Sequence, residues 1–140
     1  LDIYNADPCV DTRPFAGIIE FLEWGAAQQK TMVCVTNKPE LPARKILEIL
    51  HMDHYFVDVV GGDRFEVRKP DPKPLLHCVE AFHSSLDKTL MFGDSSNDVE
   101  AARRAGIDCI VVSYGYNHGE DIQLCKPQQV VDDLRELLAE

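Results

Sequence analysis

Thr89-Leu90-Met91-Phe92-Gly93-Asp94-Ser95-Ser96-Asn97-Asp98-Val99, running on to Ala105-Gly106, is the stretch that decides the architecture. Thr89 to Phe92 is a short apolar run of the kind a buried parallel strand shows. It breaks at Gly93, and two carboxylates follow, Asp94 and Asp98, separated by small polar residues. Val99, Ala102 and Ala105 then mark one side of a helix that Gly106 stops. A strand that ends in an acid and turns into a helix sits where open α/β sheets bind ligands, outside the carboxyl ends of the strands. Acidic oxygens held there suit a hard cation such as Mg²⁺. The same Asp and Ser residues could equally be helix caps, so this stretch alone leaves a metal site and a plain turn both open.

Working outward, the same alternation recurs. Phe15, Ile18, Ile19, Leu22 and Ala26 repeat at helical spacing, with Thr12 as a candidate cap and Pro14 in the first turn. Met32 to Val35 is a buried strand ending in Thr36-Asn37, and Pro39 and Pro42 open a helix with Ala43, Ile46, Leu47 and Leu50 on its apolar side. Phe56 to Val60 is a further strand stopped by Gly61-Gly62-Asp63. A polar loop with Arg68-Lys69-Pro70-Asp71-Pro72 leads into a helix expected to bury Leu75, Leu76, Val79 and Phe82. After Gly106 come the strand Cys109 to Val112, a glycine-containing loop Ser113 to Glu120, and a last helix from about Asp132 carrying Leu134, Leu137 and Leu138. Residues 1–11, without periodicity and holding Pro8, read as an incoming linker. Helix and strand in strict alternation predict a single α/β domain over 1–140, with parallel strands joined by right-handed helical crossovers and helices on both faces.

Composition narrows the function classes. The chain has 140 residues, enough for one core, and 45 % hydrophobic with 27 % charged residues is the balance of an ordered globular protein. A net charge of −10 without a basic stripe argues against nucleic acid as partner. An anionic substrate stays admissible, because a bound metal inverts the local field. No apolar run approaches membrane-spanning length. The five cysteines show no paired spacing, and Cys34 and Cys109 lie inside apolar runs, which reads as buried thiols of a reducing, cytoplasmic setting.

In a parallel sheet all strand ends point one way, so Thr36-Asn37, Lys69, and Asp94 with Asp98 are expected to meet at one rim. A hydroxyl and an amide, a fixed ammonium and a carboxylate pair suit phosphoryl chemistry. The hydroxyl and nearby N–H groups bond phosphoryl oxygens, the ammonium neutralises charge spreading over them, and a carboxylate-held Mg²⁺ bridges protein and phosphate. Taken singly, Thr36 and Asn37 could be a strand end, Lys69 a solvated loop lysine and Asp98 a helix-start residue favoured by the dipole. His51, His54, His77 and His83 show no metal-like spacing and read as structural or surface residues, while His118 lies in a loop that reaches toward the rim.

Together, Val35-Thr36-Asn37-Lys38-Pro39, Arg68-Lys69-Pro70-Asp71-Pro72 and Phe92-Gly93-Asp94-Ser95-Ser96-Asn97-Asp98 resemble the later motifs of the haloacid dehalogenase (HAD) superfamily, in the right order and with helices between them. Gly61-Gly62-Asp63 and Tyr114-Gly115-Tyr116-Asn117-His118-Gly119-Glu120 resemble its phosphoglycolate phosphatase branch. The resemblance implies a three-layer Rossmannoid core and Mg²⁺-dependent hydrolysis of a small phosphomonoester, 2-phosphoglycolate first, through an aspartyl phosphate. By resemblance Thr36 binds phosphate with help from Asn37, Lys69 steadies nucleophile and phosphoryl group, Asp94 is the metal ligand, and Asp98 supports lysine and metal shell. Sugar-phosphate mutase activity and a non-catalytic binding module are the alternatives. Dehalogenation fits less well, because those relatives need no metal.

The sequence also departs from the family. The DxDGT-type motif that carries the nucleophile on the first, central strand is absent: Asp2, Asp7 and Asp11 are the only early aspartates, and none precedes Gly-Thr. The inserted cap is missing as well, and the chain opens on Leu1. The expectation is therefore the later portion of a longer enzyme, inactive by itself. Its core would lack the central strand and leave two facing edges open to self-association.

Overall fold

Twelve regular elements follow one another in the computed structural model, which describes residues 3–6, 9–10, 13–14, 17–113 and 127–138. They are β1 (Ile3–Ala6), β2 (Cys9–Val10), β3 (Arg13–Pro14), α1 (Ile18–Ala27), β4 (Thr31–Val35), α2 (Glu40–Ile49), β5 (Asp58–Val60), α3 (Lys73–Ala81), β6 (Thr89–Gly93), α4 (Ser96–Ala105), β7 (Asp108–Val112) and β8 (Gln129–Val131). Short 3-10 turns occupy Asp53–Tyr55, Leu86–Lys88 and Leu134–Leu138.

Six strands form one parallel sheet in the order β5-β4-β1-β6-β7-β8, and β2 with β3 makes a small antiparallel pair. Strand residues alternate between two cores. Met32, Cys34, Leu90 and Phe92 pack with Phe21 and Leu22 of α1, Ala43 and Leu47 of α2, and Leu134. Val33, Val35, Met91, Cys109 and Val111 pack with Leu75 and Cys78 of α3 and with Val99, Ala102 and Ala105 of α4. This is the expected three-layer arrangement, and it follows from handedness. The chain steps outward from β1 to β4 to β5, then back across to β6 and β7, and right-handed crossovers in opposite directions lie on opposite faces. Phe21 meets Phe92 edge-on at 4.7 Å between ring centroids, joining α1 to the strand that leads to Asp94.

The central position, expected empty, is filled. β1 lies between β4 and β6 and pairs with both, Ile3 opposite Thr31 and Thr89, Ala6 opposite Cys34 and Phe92. Without a strand there, two facing rows of backbone N–H and C=O groups would be left unpaired inside the protein. Four extended residues satisfy both rows whatever their side chains, which is why a stretch that reads as linker becomes a strand. The sheet's outer edges are instead β5 and β8, three residues each, short enough to limit edge pairing.

Other boundaries also move. The first helix begins at Ile18, not near Pro14, because Gly17 turns the chain with a left-handed φ of 78° that a side chain would strain. Leu76, expected inside, is largely exposed, and Cys78 is buried in its place: α3 presents Leu75, Cys78 and, in part, Val79 and Phe82 to the sheet. After β8, which sequence pattern did not reveal, Leu134–Leu138 is a 3-10 turn rather than a full helix. Asp2, Asp7, Asp11, Thr12 and the run Tyr114 to Glu120 with His118 lie outside the described residues. Among the described residues no helix is long and apolar enough to cross a membrane.

Candidate active site

The carboxyl ends of β4, β1 and β6 adjoin where the chain reverses direction across the sheet, the position at which α/β sheets form their crevice. Thr36 follows β4 directly. It is 6 % exposed, its N–H donates to Val60 O at 3.0 Å, and its Oγ1 accepts the Lys38 N–H at 3.2 Å. The hydroxyl is thereby oriented by its own turn, one residue past the buried run Met32 to Val35.

Lys69 enters from the long loop between β5 and α3 and is buried, 3 % exposed. Its Nζ donates to Val35 O at 2.7 Å and to Asp98 Oδ1 at 2.6 Å. Its carbonyl accepts the Asn37 Nδ2 amide at 2.9 Å. A lysine buried this deeply must be paired and hydrogen-bonded, and here β4, the turn that follows it and α4 hold it at both ends. The surface-lysine reading is excluded.

Asp98, in the first turn of α4, uses both carboxylate oxygens within the protein. Oδ1 meets Lys69, while Oδ2 accepts the N–H groups of Asp94 at 2.8 Å and Ser95 at 3.3 Å. The bond to Ser95 is half of a capping box for α4. Gly93 makes this possible, because a Cβ there would overlap the Asp98 carboxylate. Asp98 thus braces the turn that carries Asp94 and fixes the lysine beside it. Asp94 itself, half-buried at the end of β6, stands on that turn.

The fit of these groups to a divalent cation is specific to one of them. Among the described residues no three His, Cys, Asp or Glu side chains cluster as a metal site. Mg²⁺ keeps several waters and takes only one or two protein carboxylates, so a single hard oxygen donor at Asp94 suits it. Asp98, with both oxygens engaged, suits a supporting part.

Asn37 is tied into the site through its amide. Its amide nitrogen bonds the Lys69 backbone, and its Oδ1 is buried without a hydrogen-bond partner among the described residues. It ties the β4 turn to the lysine loop. Sequence reading also passed over Glu40 and Arg64, which meet at 2.8 Å between Oε1 and Nε beside Gly61-Gly62. The available signal was the position of Arg64 directly after Gly-Gly-Asp at a strand end. Among the described residues, His51, His54, His77 and His83 belong to no group of His, Cys, Asp and Glu side chains that could hold a metal ion.

Comparison with known proteins agrees with this geometry. The family described as haloacid dehalogenase-like hydrolase matches residues 2–112. The chain is 42 % identical over 137 residues to a phosphoglycolate phosphatase of Nitrosococcus oceani, covering 98 % of this chain and 61 % of that protein. It is 38 % identical over 124 residues to a phosphoglycolate phosphatase of Pseudomonas syringae pv. syringae, covering 89 % of this chain and 46 % of the relative. Among solved structures, one described as a predicted phosphoglycolate phosphatase from Haemophilus somnus 129PT superimposes with a TM-score of 0.87 at 34 % identity, over 90 % of this chain and 56 % of that one. The chain therefore spans about half the length of the curated relatives it matches. With fold, motif order and family match in accord, the chain belongs to the haloacid dehalogenase-like hydrolases.

Proposed function

We propose that the full-length protein hydrolyses a small phosphomonoester, with 2-phosphoglycolate as the leading substrate, in a Mg²⁺-dependent reaction, and that the 140 residues alone do not. The observation that carries this reading is the buried Lys69, whose Nζ lies 2.7 Å from Val35 O, in the residue before Thr36, and 2.6 Å from Asp98 Oδ1. An ammonium fixed in a protein interior lowers the cost of charge on phosphoryl oxygens without reorganising as the reaction proceeds. The names of the relatives supply the substrate class.

In this reading Thr36 Oγ donates to one phosphoryl oxygen, and Lys69 Nζ faces the phosphoryl group and the attacking carboxylate. Asp98 keeps that ammonium in place. The nucleophile is an aspartate of a DxDGT-type motif, which these 140 residues do not contain. Its carboxylate oxygen forms a bond to phosphorus, the bond from phosphorus to the substrate alkoxide breaks, and the alkoxide takes a proton from a second aspartate two positions further along that motif. The second aspartate, now ionised, takes a proton from the water that attacks phosphorus, which releases inorganic phosphate and restores both aspartates. A bound Mg²⁺, with Asp94 among its ligands, would add charge neutralisation and a template for the phosphoryl oxygens.

The test is an assay of the full-length protein over a panel of small phosphate esters, including a sugar phosphate scored for isomerisation, with and without chelator. Release of phosphate from 2-phosphoglycolate that chelator abolishes is expected. Turnover indifferent to chelator, or isomerisation without phosphate release, would overturn the corresponding half of the reading.

A further inference from the structure

The helix that follows Thr36 is capped from elsewhere in the chain. Pro39, at the N-cap of α2, makes no side-chain capping bond. Instead Asp63 Oδ1 accepts the Glu40 N–H at 2.8 Å, from 23 residues away. One residue earlier, the Gly62 N–H donates to Lys38 O at 2.7 Å. A methyl group at Gly62 would overlap the Asn37 carbonyl, and one at Gly61 the Glu40 backbone. The loop after β5 is therefore pressed onto the residues that orient the Thr36 hydroxyl.

Arg64 locks the loop in that position. Its Nε donates to Glu40 Oε1 at 2.8 Å, its Nη2 to Val59 O at 3.0 Å, and its Nη1 and Nη2 reach Asp58 at 3.3 and 3.2 Å. Arg44, one turn along α2, also bonds Asp58 at 3.1 Å. Two cations and two carboxylates thus join β5, the 61–64 loop and the first turns of α2. The planar fork of an arginine matches this set of acceptors, and an ammonium would not.

From this we infer that Asp63 and Arg64 are positioning residues for phosphate binding: they form a clamp that sets the Thr36–Lys38 turn without touching the substrate. The inference rests on the phosphomonoesterase reading for its kinetic consequence, while the clamp itself is a separate claim about Glu40 and Lys38. Asp63→Ala removes the acceptor for the Glu40 N–H, whereas Asp63→Asn keeps an oxygen in the same place. Because phosphate contacts in ground and transition states would loosen alike, KM should rise and kcat should hold.

Full-length wild type, Asp63→Ala, Asp63→Asn and Arg64→Lys are compared by steady-state kinetics on 2-phosphoglycolate and by amide hydrogen exchange at Glu40 and Lys38. Val131→Ala, in β8 away from the site, serves as a control for general loss of stability. Asp63→Ala is expected to raise KM roughly tenfold with kcat within about twofold. Asp63→Asn should return KM toward wild type, and Arg64→Lys should fall between them. Glu40 and Lys38 amides should exchange faster in Asp63→Ala and not in Val131→Ala. An unchanged KM in an active enzyme, an equal KM rise in Val131→Ala, or unaltered exchange at Glu40 would each overturn the clamp. If wild type shows no phosphatase turnover, the functional reading fails, and exchange at Glu40 and Lys38 alone decides the clamp.

Discussion

Lys69 Nζ lies 2.6 Å from Asp98 Oδ1, and each side chain is only 2 % exposed. Desolvating two charges is costly, and their attraction offsets that cost only when the remaining hydrogen-bonding capacity is used. Here much of it is: the ammonium also meets Val35 O, and the other Asp98 oxygen collects the Asp94 and Ser95 N–H groups. Removing one partner strands the other, so Lys69→Met is expected to destabilise the protein by about 3–5 kcal/mol. Lys69→Met combined with Asp98→Leu should cost clearly less than the sum of the single changes. Chemical denaturation of the two single variants and the double variant measures this. Additive costs would mean that the two side chains do not depend on each other.

Gly93 brings the backbone close against the Asp98 carboxylate. A Cβ at this position would overlap the Asp98 carboxylate and push it off the Asp94 N–H. Gly93→Ala should therefore lower stability by about 2 kcal/mol, typical of overpacking, and disturb the turn that presents Asp94. Thermal unfolding gives the first quantity. A wild-type Tm would show that the turn has room this geometry does not provide.

The Asp58 carboxyl offers a pH-dependent check on the β5 end of the clamp. Burial pushes its pKa up, but hydrogen bonds from Arg64 and the Val59 N–H, with the charges of Arg64 and Arg44, outweigh that and hold it below the ordinary value of 3.8. A depressed native pKa contributes stability that is complete above the unfolded value and is lost as pH falls through the native one. The Tm difference between wild type and Asp58→Asn should therefore be constant above about pH 5 and shrink as pH drops through and below 3.8. A gap that widens toward acid would reverse the assignment.

Much of this arrangement was legible because it is local. Thr89 to Gly106 carries a strand, a turn and a helix in one stretch, and its apolar period, capping residues and terminal glycine point to one solution. Thr36, Lys69 and Asp98 were legible as strand-end residues once the strands were taken as parallel. β1 was not, because nothing in Ile3-Tyr4-Asn5-Ala6 alternates; its place is set by the unpaired backbones of β4 and β6. Arg64 and Glu40 were also hidden, since a contact over 24 residues leaves no periodic trace. The misplacement of Leu76 has a simpler cause. Leu75-Leu76 offers two neighbouring apolar residues, and Cys78, less obviously apolar, decides which one faces inward.

The buried cysteines should be chemically silent. Burial pushes the Cys78 thiol up to about 12, and burial with the nearby Asp98 carboxylate pushes Cys109 upward as well. The thiolate is the reactive form, so neither residue reacts readily at neutral pH. Cys34 is equally enclosed. Mass spectrometry after brief treatment with a thiol reagent should find Cys34, Cys78 and Cys109 unmodified in native protein and modified in denaturant. Rapid native labelling at Cys78 would show that α3 opens far more readily than its packing implies.

Replacing Asp94 and Asp98 in turn tests whether metal binding and scaffolding are divided between them. Its N–H is held by Asp98 Oδ2 at 2.8 Å, a bond of the backbone that no side-chain replacement at 94 removes. Asp94→Asn keeps the size of the side chain and an oxygen, and deletes only the negative charge that a hard cation requires. In the full-length protein this change should raise the Mg²⁺ concentration needed for half-maximal activity at least tenfold, while Tm without added metal stays within a few degrees of wild type. Asp98→Asn should behave in the opposite way. It weakens the brace on Lys69, so stability falls markedly even without metal. A metal titration beside a metal-free melt distinguishes the two carboxylates. If Asp94→Asn leaves the Mg²⁺ requirement unchanged, or Asp98→Asn alters only the metal dependence, then the division between a carboxylate that meets the cation and one that holds the lysine is wrong.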